Sequence, residues 1–328
     1  MSRPLLDGFG RQVLDLRVSV TDRCNFRCRY CMPEEGMQWL ERSEVLSFEE
    51  VARVAGVMVE HFGLASLRLT GGEPTMRARL PELVALLSRF PVELSMTTNG
   101  STLSRLARPL REAGLHRVTI SLDSLRPDRF VAITGRDMLP AVLEGIEAAR
   151  SAGLAPLKLN TVLVRGVNDD EVLDLARFGR EAGAEVRFIE FMPLDAAGEW
   201  SATQVVASSE VLERVGSVFP LEPVGARGNE PAERYRYVDG AGTLGVIASV
   251  TRPFCARCDR VRLSADGELR SCLFAVRERD LRALLRGGAT DEELAAAIEE
   301  EVAAKWAGHS IGRVNFVRPA RSMSQIGG

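Results

Sequence analysis

Between residues 14 and 192 the sequence repeats one pattern six times: a short β-rich run, then a stretch with helical spacing of its apolar residues. That repetition constrains the fold more than any other feature, because β-then-α units build parallel strands with helices outside them. The strand runs fall at 14–20, 67–70, 92–97, 117–122, 157–163 and 185–191. The clearest helix is 48–62, where Phe48, Val51, Val54, Ala55, Met58, Val59 and Phe62 share one face. Ser47 and Glu50 make a capping box in front of it. Helical runs at 105–113, 141–151 and 171–182 stop at Gly114, Gly153 and Gly183, glycine being the usual residue just past a helix end. A closed eight-fold barrel needs two more units. The pattern therefore predicts an α/β fold, an incomplete (β/α)6 TIM-like barrel, over residues 1–220. Residues 221–328 change to short β-like pieces, then helical runs at 279–285 and 291–306, and 324–328 reads as flexible.

In parallel barrels chemistry gathers at the carboxyl ends of the strands. The first strand is followed there by Cys24, Cys28 and Cys31, spaced C-x3-C-x2-C, and the second by Gly71-Gly72-Glu73-Pro74. Thr97-Thr98-Asn99-Gly100 follows the third, Ser121-Leu122-Asp123-Ser124 the fourth and Met192-Pro193 the sixth. Asn99 suits either a ligand contact or a turn. The other three cysteines, Cys255, Cys258 and Cys272, are spaced C-x2-C-x13-C, so all six divide into two triads.

Residues 1–12 lack the apolar core of a signal peptide, and no apolar run reaches the roughly 18 residues of a membrane span. The expectation is a cytoplasmic protein, where thiols stay reduced and clustered cysteines do metal or redox work. Three thiolates can hold three irons of a [4Fe–4S] cube and leave the fourth open. Zinc is the other reading, completed by His61, His116 or His309 from a distance. The net charge of −3 gives no general attraction to nucleic acid or to an anionic membrane. Lys158 and Lys305 are the only lysines among 42 basic residues. Lys158 interrupts an apolar strand run, whereas Lys305 reads as a solvated residue of a helical tail.

With Tyr30 just before its last cysteine, the first triad resembles the signature of the radical S-adenosylmethionine (SAM) enzymes. The resemblance implies that Cys24, Cys28 and Cys31 hold a [4Fe–4S] cluster whose open iron is chelated by SAM. Reductive cleavage of SAM then gives methionine and a 5′-deoxyadenosyl radical. It also implies SAM contacts from Tyr30, Gly72, Glu73, Ser121 and Met192.

The stretches Asp15-Leu16-Arg17, LRLTGGEPTMR, LKLNTVL, RFIEFMP and FCARCDRVRLSADGELRSCLF, with the terminal Gly327-Gly328, together resemble the GTP 3′,8-cyclases. These are lyases that open molybdenum cofactor biosynthesis. The resemblance implies a second [4Fe–4S] cluster on Cys255, Cys258 and Cys272, facing the first across a cavity and binding the guanine of GTP. The radical would take hydrogen from ribose C3′, and C3′ would join C8 to give (8S)-3′,8-cyclo-7,8-dihydro-GTP. Substrate contacts are implied for Arg17, Arg68, Thr97, Lys158, Arg260, Val261 and Arg262, with Arg187 a further inward-facing choice. Arg17, Arg260, Arg262, Gly327 and Gly328 are implied as catalytic beside the first triad, the glycine tail entering the site.

This assignment makes physical sense. There is no Walker-type loop for a triphosphate, and arginine forks pair with phosphate oxygens. Arg17 and Arg68 break apolar runs, and a cation there must be paired or face a ligand. Glu230-Pro231-Ala232 departs from the Gly-Pro-Ala common in the family. The expected partners are a flavodoxin- or ferredoxin-like electron donor, the downstream cyclic pyranopterin monophosphate synthase and a second copy of the chain. Two other readings stand beside this one. A peptide-modifying radical SAM enzyme leaves the Arg-x-Arg and the glycine tail unexplained. A zinc-stabilised binding protein predicts zinc without iron.

Overall fold

The computed structural model describes residues 2–32, 37–195, 198–225, 228–311 and 316–327. Six parallel strands lie side by side in chain order: β1 (Asp15–Ser19), β2 (Ser66–Thr70), β3 (Glu93–Thr98), β4 (Arg117–Ser121), β5 (Lys158–Leu163) and β6 (Glu185–Glu190). Each falls within a residue or two of its expected run. Helices α1 (Phe48–Phe62), α2 (Leu80–Leu87), α3 (Leu103–Glu112), α4 (Pro127–Thr134), α5 (Leu139–Ser151) and α6 (Val172–Ala182) connect them. The capping box of α1 is formed, Ser47 Oγ accepting from Glu50 N at 3.1 Å and Glu50 Oε2 from Ser47 N at 2.7 Å.

Side chains of a strand alternate between its faces. Leu16 and Val18 of β1, Leu67 and Leu69 of β2, and Val118 and Ile120 of β4 are all fully buried in the core. Burial of such a side chain contributes about 1.5–3 kcal/mol. The alternate positions, Arg17, Arg68, Thr119, Lys158 and Arg187 among them, turn inward and line a cavity.

After α7 (Ser208–Gly216), the remaining chain completes both edges of this sheet. Strands β7 (Leu221–Pro223), β8 (Glu233–Tyr237), β9 (Thr243–Ile247), β10 (Arg260–Leu263), β11 (Glu268–Arg270) and β12 (Arg279–Asp280) follow in sequence. β9 pairs parallel to β6, and β10 pairs parallel to β1, giving the order β12-β11-β10-β1-β2-β3-β4-β5-β6-β9-β8-β7. The fold is thus the incomplete (β/α)6 barrel expected, with a C-terminal region continuing the sheet on either side. Helices α8 (Leu281–Arg286) and α9 (Asp291–Ala303) pack behind it.

Two expectations are corrected here. The chain end forms a short helix, α10 (Met323–Ile326), with Ser324 and Ile326 buried, so 324–327 is packed and not a loose tail. Gly328 lies outside the described residues. Lys305 is 3% exposed and not solvated. Helix α9 stops before it, and the chain then passes beneath the second cysteine group, where backbone carbonyls receive the ammonium.

Candidate functional site

The cavity inside the barrel measures about 480 Å³, and both cysteine triads line it. The first triad sits on the loop after β1. That loop is held against the end of α4 by Arg27 N to Thr134 O at 2.8 Å and Arg29 N to Ile133 O at 3.1 Å. It is held against the loop after β2 by Gly72 N to Thr21 O and Glu73 N to Arg23 O, both 2.8 Å. These contacts explain the double glycine. A Cβ on Gly72 would strike the carbonyls of Asp22 and Arg23, and one on Gly71 the carbonyl of Thr21.

Glu73 is 1% exposed and braces this junction. Its carboxylate accepts from Thr75 N at 3.0 Å, Thr75 Oγ1 at 2.6 Å, Thr98 Oγ1 at 2.7 Å and Asn99 N at 2.6 Å. Asn99 in turn donates to Asn25 Oδ1 at 2.8 Å, tying the Thr97–Gly100 segment to the cysteine loop. Burial pushes Cys24 up to about 11 and Cys31 up to about 12. Burial likewise raises Cys28, with Cys31 and Asp123 adding to it. Three thiolates on this loop therefore need strong positive charge among them.

The second triad has a different setting. Cys255 and Cys258 flank the turn before β10, and Cys272 follows β11. Burial opposes the Cys258 thiolate, but the Arg260 and Lys305 cations outweigh it and bring Cys258 down to about 7. Sulfur receives donors in both groups: Phe26 N to Cys24 and Phe274 N to Cys272 at 3.4 Å, and Arg260 Nη2 to Cys258 at 3.6 Å. All six cysteines are free thiols. Among the described residues no three His, Cys, Asp or Glu side chains gather as they would round a single ion. Each triad is supported by N–H donors to sulfur and lines the one cavity, and in a cube each thiolate would sit on its own iron. The residues fit two four-iron clusters.

Between the triads runs a row of cations. Arg262 of β10, Arg17 of β1 and Arg68 of β2 are partners in register on three adjacent parallel strands. Like charges facing one another across strands repel. Burial, then neighbouring Arg260, lowers Arg17 to about 10; burial, then Arg17, lowers Arg68 to about 9. The buried Nε atoms of Arg17, Arg68 and Arg260 and Oδ1 of Asn160 have no hydrogen-bond partner. Buried polar groups are otherwise nearly always paired, so these point to a polar ligand. Lys158 joins the cavity from β5, lowered to about 8 by burial, then by Arg187 and Arg117. Arg187 is more committed: its Nε donates to Glu185 at 2.6 Å and its Nη2 to Glu230 at 3.4 Å.

Tyr30, Gly72, Glu73, Ser121 and Met192 line the same cavity, as do Thr97 and Arg260. Val261 does not: it is fully buried in the hydrophobic core, because it alternates with the two inward arginines of β10. Gly327 reaches the site through its carbonyl, which accepts from Arg262 Nη1. A Cβ on Gly327, at φ 85°, would meet Ser19 and Thr70. Sequence reasoning placed Asp123 after the fourth strand without a role, and its Oδ2 receives the Tyr30 hydroxyl at 2.5 Å; His309, considered there only as a distant zinc ligand, lines the cavity beside Phe274. The position of Asp123 just past β4 was the available signal.

Residues 18–179 match the radical SAM superfamily, and residues 184–311 match the family described as Molybdenum Cofactor Synthesis C. The SAM-bound structure of Streptococcus suis SuiB superposes with a TM-score of 0.62 at 12% identity, covering 87% of this chain and 68% of that one. The structure titled native anSMEcpe with bound AdoMet gives 0.60 at 16% identity, covering 90% and 84%. These two share the fold. Among curated proteins, the GTP 3′,8-cyclase of Streptomyces coelicolor is 50% identical over 329 residues, 99% of this chain and 96% of that protein. That of Acidothermus cellulolyticus is 49% identical over 318 residues, 94% and 88% of the two chains. Such identity, sustained from one end of both chains nearly to the other, means that this chain belongs to the GTP 3′,8-cyclases of the radical SAM superfamily.

Proposed function

We propose that this protein converts GTP to 3′,8-cyclo-7,8-dihydro-GTP with SAM and two [4Fe–4S] clusters, the first step toward the molybdenum cofactor. The observation that carries the reading is the in-register row Arg262–Arg17–Arg68, set between two cysteine triads. On this reading residues 1–220 form the SAM-binding barrel, with Cys24, Cys28 and Cys31 as ligands of its cluster. Residues 221–328 carry the second cluster on Cys255, Cys258 and Cys272, together with the tail. When bound, the first cluster with SAM supplies a reducing electron and a carbon radical able to take hydrogen from ribose C3′.

The chain's own part is binding and placement. Gly71 and Gly72 let backbone approach the SAM site without a Cβ in the way. Tyr30 and Asp123 fix the far side of the cysteine loop, with Ser121 and Met192 on the same wall. Arg17, Arg68 and Arg262 receive the triphosphate, whose charge relieves their mutual repulsion, and Lys158 and Thr97 extend that surface. Arg260 lies beside Cys258 and serves the base end of the substrate. Glu185 and Glu230 keep Arg187 oriented at the wall. Gly327 orients Arg262 by accepting its guanidinium N–H. Enclosure in the barrel limits water at the reacting carbon.

A low-potential donor of flavodoxin or ferredoxin type, a synthase that takes the cyclised nucleotide to cyclic pyranopterin monophosphate, and the homodimer implied by the family resemblance complete the proposal. No helix among the described residues is long and apolar enough to cross a membrane, and a cytoplasmic location belongs to the same reading. The test is anaerobic reconstitution with SAM, GTP and dithionite. The expected product is isomeric with GTP and forms with one 5′-deoxyadenosine per molecule, in protein holding about eight irons. Protein with both clusters that makes 5′-deoxyadenosine but leaves GTP unchanged contradicts the reading.

A further inference from the structure

The loop bearing Cys255, Cys258 and Arg260 is gripped from below by two cations that are not among the cavity-lining residues, half-buried Arg11 and buried Lys305. Arg11 comes from the N-terminal segment. Its Nη1 donates to Cys255 O at 2.6 Å and Ala307 O at 2.8 Å, its Nη2 to Trp306 O at 2.5 Å, and its Nε pairs with buried Asp7 at 2.5 Å. Lys305 comes from the segment after α9. Its Nζ donates to Arg260 O at 2.7 Å and Cys258 O at 3.0 Å, and lies 3.6 Å from Cys258 Sγ. An ammonium has three N–H donors, and these three acceptors use them all.

Composition sharpens the point. Of 42 basic residues only Lys158 and Lys305 are lysine, and both are buried beside the site. A compact point charge with three donors fits this pocket of two carbonyls and a sulfur, whereas the flat guanidinium fork suits planar oxyanions. Arg260 also approaches Cys258, but its Nε makes no hydrogen bond and lies 4.0 Å from Asp259 Oδ1, and its guanidinium sits over the Phe254 ring, 4.7 Å away. Lys305 is fixed by the two backbone carbonyls it holds.

We propose that Lys305 is a positioning residue of the second cluster: it locks the Cys255–Arg260 loop and places a fixed positive charge against the Cys258 sulfur. Charge and hydrogen bonds at cluster sulfurs set reduction potential. The ammonium therefore favours the state with one more electron on the cluster and raises its potential. Arg11 holds the other end of the loop through backbone carbonyls, Cys255 O among them.

The inference rests on the cluster reading of Cys255, Cys258 and Cys272, and the test separates the two. Full-length protein with Cys24, Cys28 and Cys31 replaced by alanine keeps only the second cluster. If that protein binds no iron, the cluster assignment itself fails. If it binds about four irons, Lys305→Gln is added and the midpoint potential is read by EPR during dithionite titration. Gln retains an N–H donor and loses the charge. The expected result is a shift to lower potential, with far-UV circular dichroism unchanged. Loss of this cluster with the fold intact also supports the inference, as failure of the loop lock. An unchanged potential with the cluster intact overturns it. So does collapse of the whole fold, which would make Lys305 an ordinary core residue. Arg11→Gln is the control: it should loosen iron retention and move the potential less than Lys305→Gln.

Discussion

The hydroxyl of Tyr30 lies 2.5 Å from Oδ2 of Asp123, joining the first cysteine loop to the end of β4. Asp123 is buried, which raises its carboxyl to about 6 against the hydrogen bonds from Tyr30 and Val162 N. Removing one donor from a buried carboxylate costs about 1–3 kcal/mol. Tyr30→Phe should therefore loosen the first cysteine loop and, on the proposed reading, slow SAM cleavage without GTP by roughly tenfold or more. The measurement is 5′-deoxyadenosine formation by protein matched for iron content. An unchanged rate would mean that the pair plays no part in holding the SAM site.

The arginine row leads to a prediction of opposite signs for stability and binding. Arg17 has like-charged register partners on both sides, Arg262 and Arg68. Arg68→Ala should leave the stability of the GTP-free protein unchanged or higher, because it relieves repulsion. The same change should weaken GTP binding by roughly 10- to 100-fold, the worth of about 1.5–3 kcal/mol for a charged hydrogen bond. Thermal unfolding with and without GTP reads both effects. A large loss of stability without GTP would show that the row is structural.

Much of this was legible before any coordinates, because the signals were local. The β-rich runs, the α1 capping box and the cysteine spacings each involve residues close together in the chain, and the strands and the cap stand where expected. The helices α2, α4 and α7, eight, eight and nine residues long, are too short for their periodicity to stand out. What escaped depended on distant pairing. No local pattern says that β10 will lie parallel to β1 and bring Arg262 beside Arg17, 245 positions away. Lys305 looked solvated because a lysine in a polar helical tail usually is; only the loop above it, 47 positions earlier, makes it a buried clamp. Val261 follows from the same alternation that exposes its neighbours to the cavity, and the resemblance had grouped all three together.

If Lys158 contacts the triphosphate as proposed, GTP binding should depend on pH. Burial, then Arg187 and Arg117, lower it from 10.5 to about 8. A lysine depressed in the folded state destabilises the fold while charged, so stability should rise as pH rises from about 8 toward 10.5. Binding of a triphosphate runs the other way, since the folded protein loses this charge around pH 8. GTP affinity should fall as pH passes from about 7 to about 9, and Lys158→Arg should flatten the curve. An unaltered slope in that variant would remove Lys158 from the phosphate surface.

Gly72→Ala separates the two clusters. Its Cβ would press on the carbonyls of Asp22 and Arg23, the entry to the first cysteine loop. Iron should fall from about eight to about four per chain, with SAM cleavage lost and the second cluster's EPR signal kept. Equal loss of both clusters would show that the two sites do not fold independently.

The central claim is that this cavity holds GTP with ribose C3′ exposed to the radical made from SAM. The direct measurement uses reconstituted protein, reductant, SAM and GTP deuterated at C3′, with mass spectrometry of the 5′-deoxyadenosine formed. Deuterium in 5′-deoxyadenosine is the predicted result. Unlabelled 5′-deoxyadenosine from protein with both clusters intact would contradict it, leaving a radical SAM enzyme that does not act on C3′ of GTP.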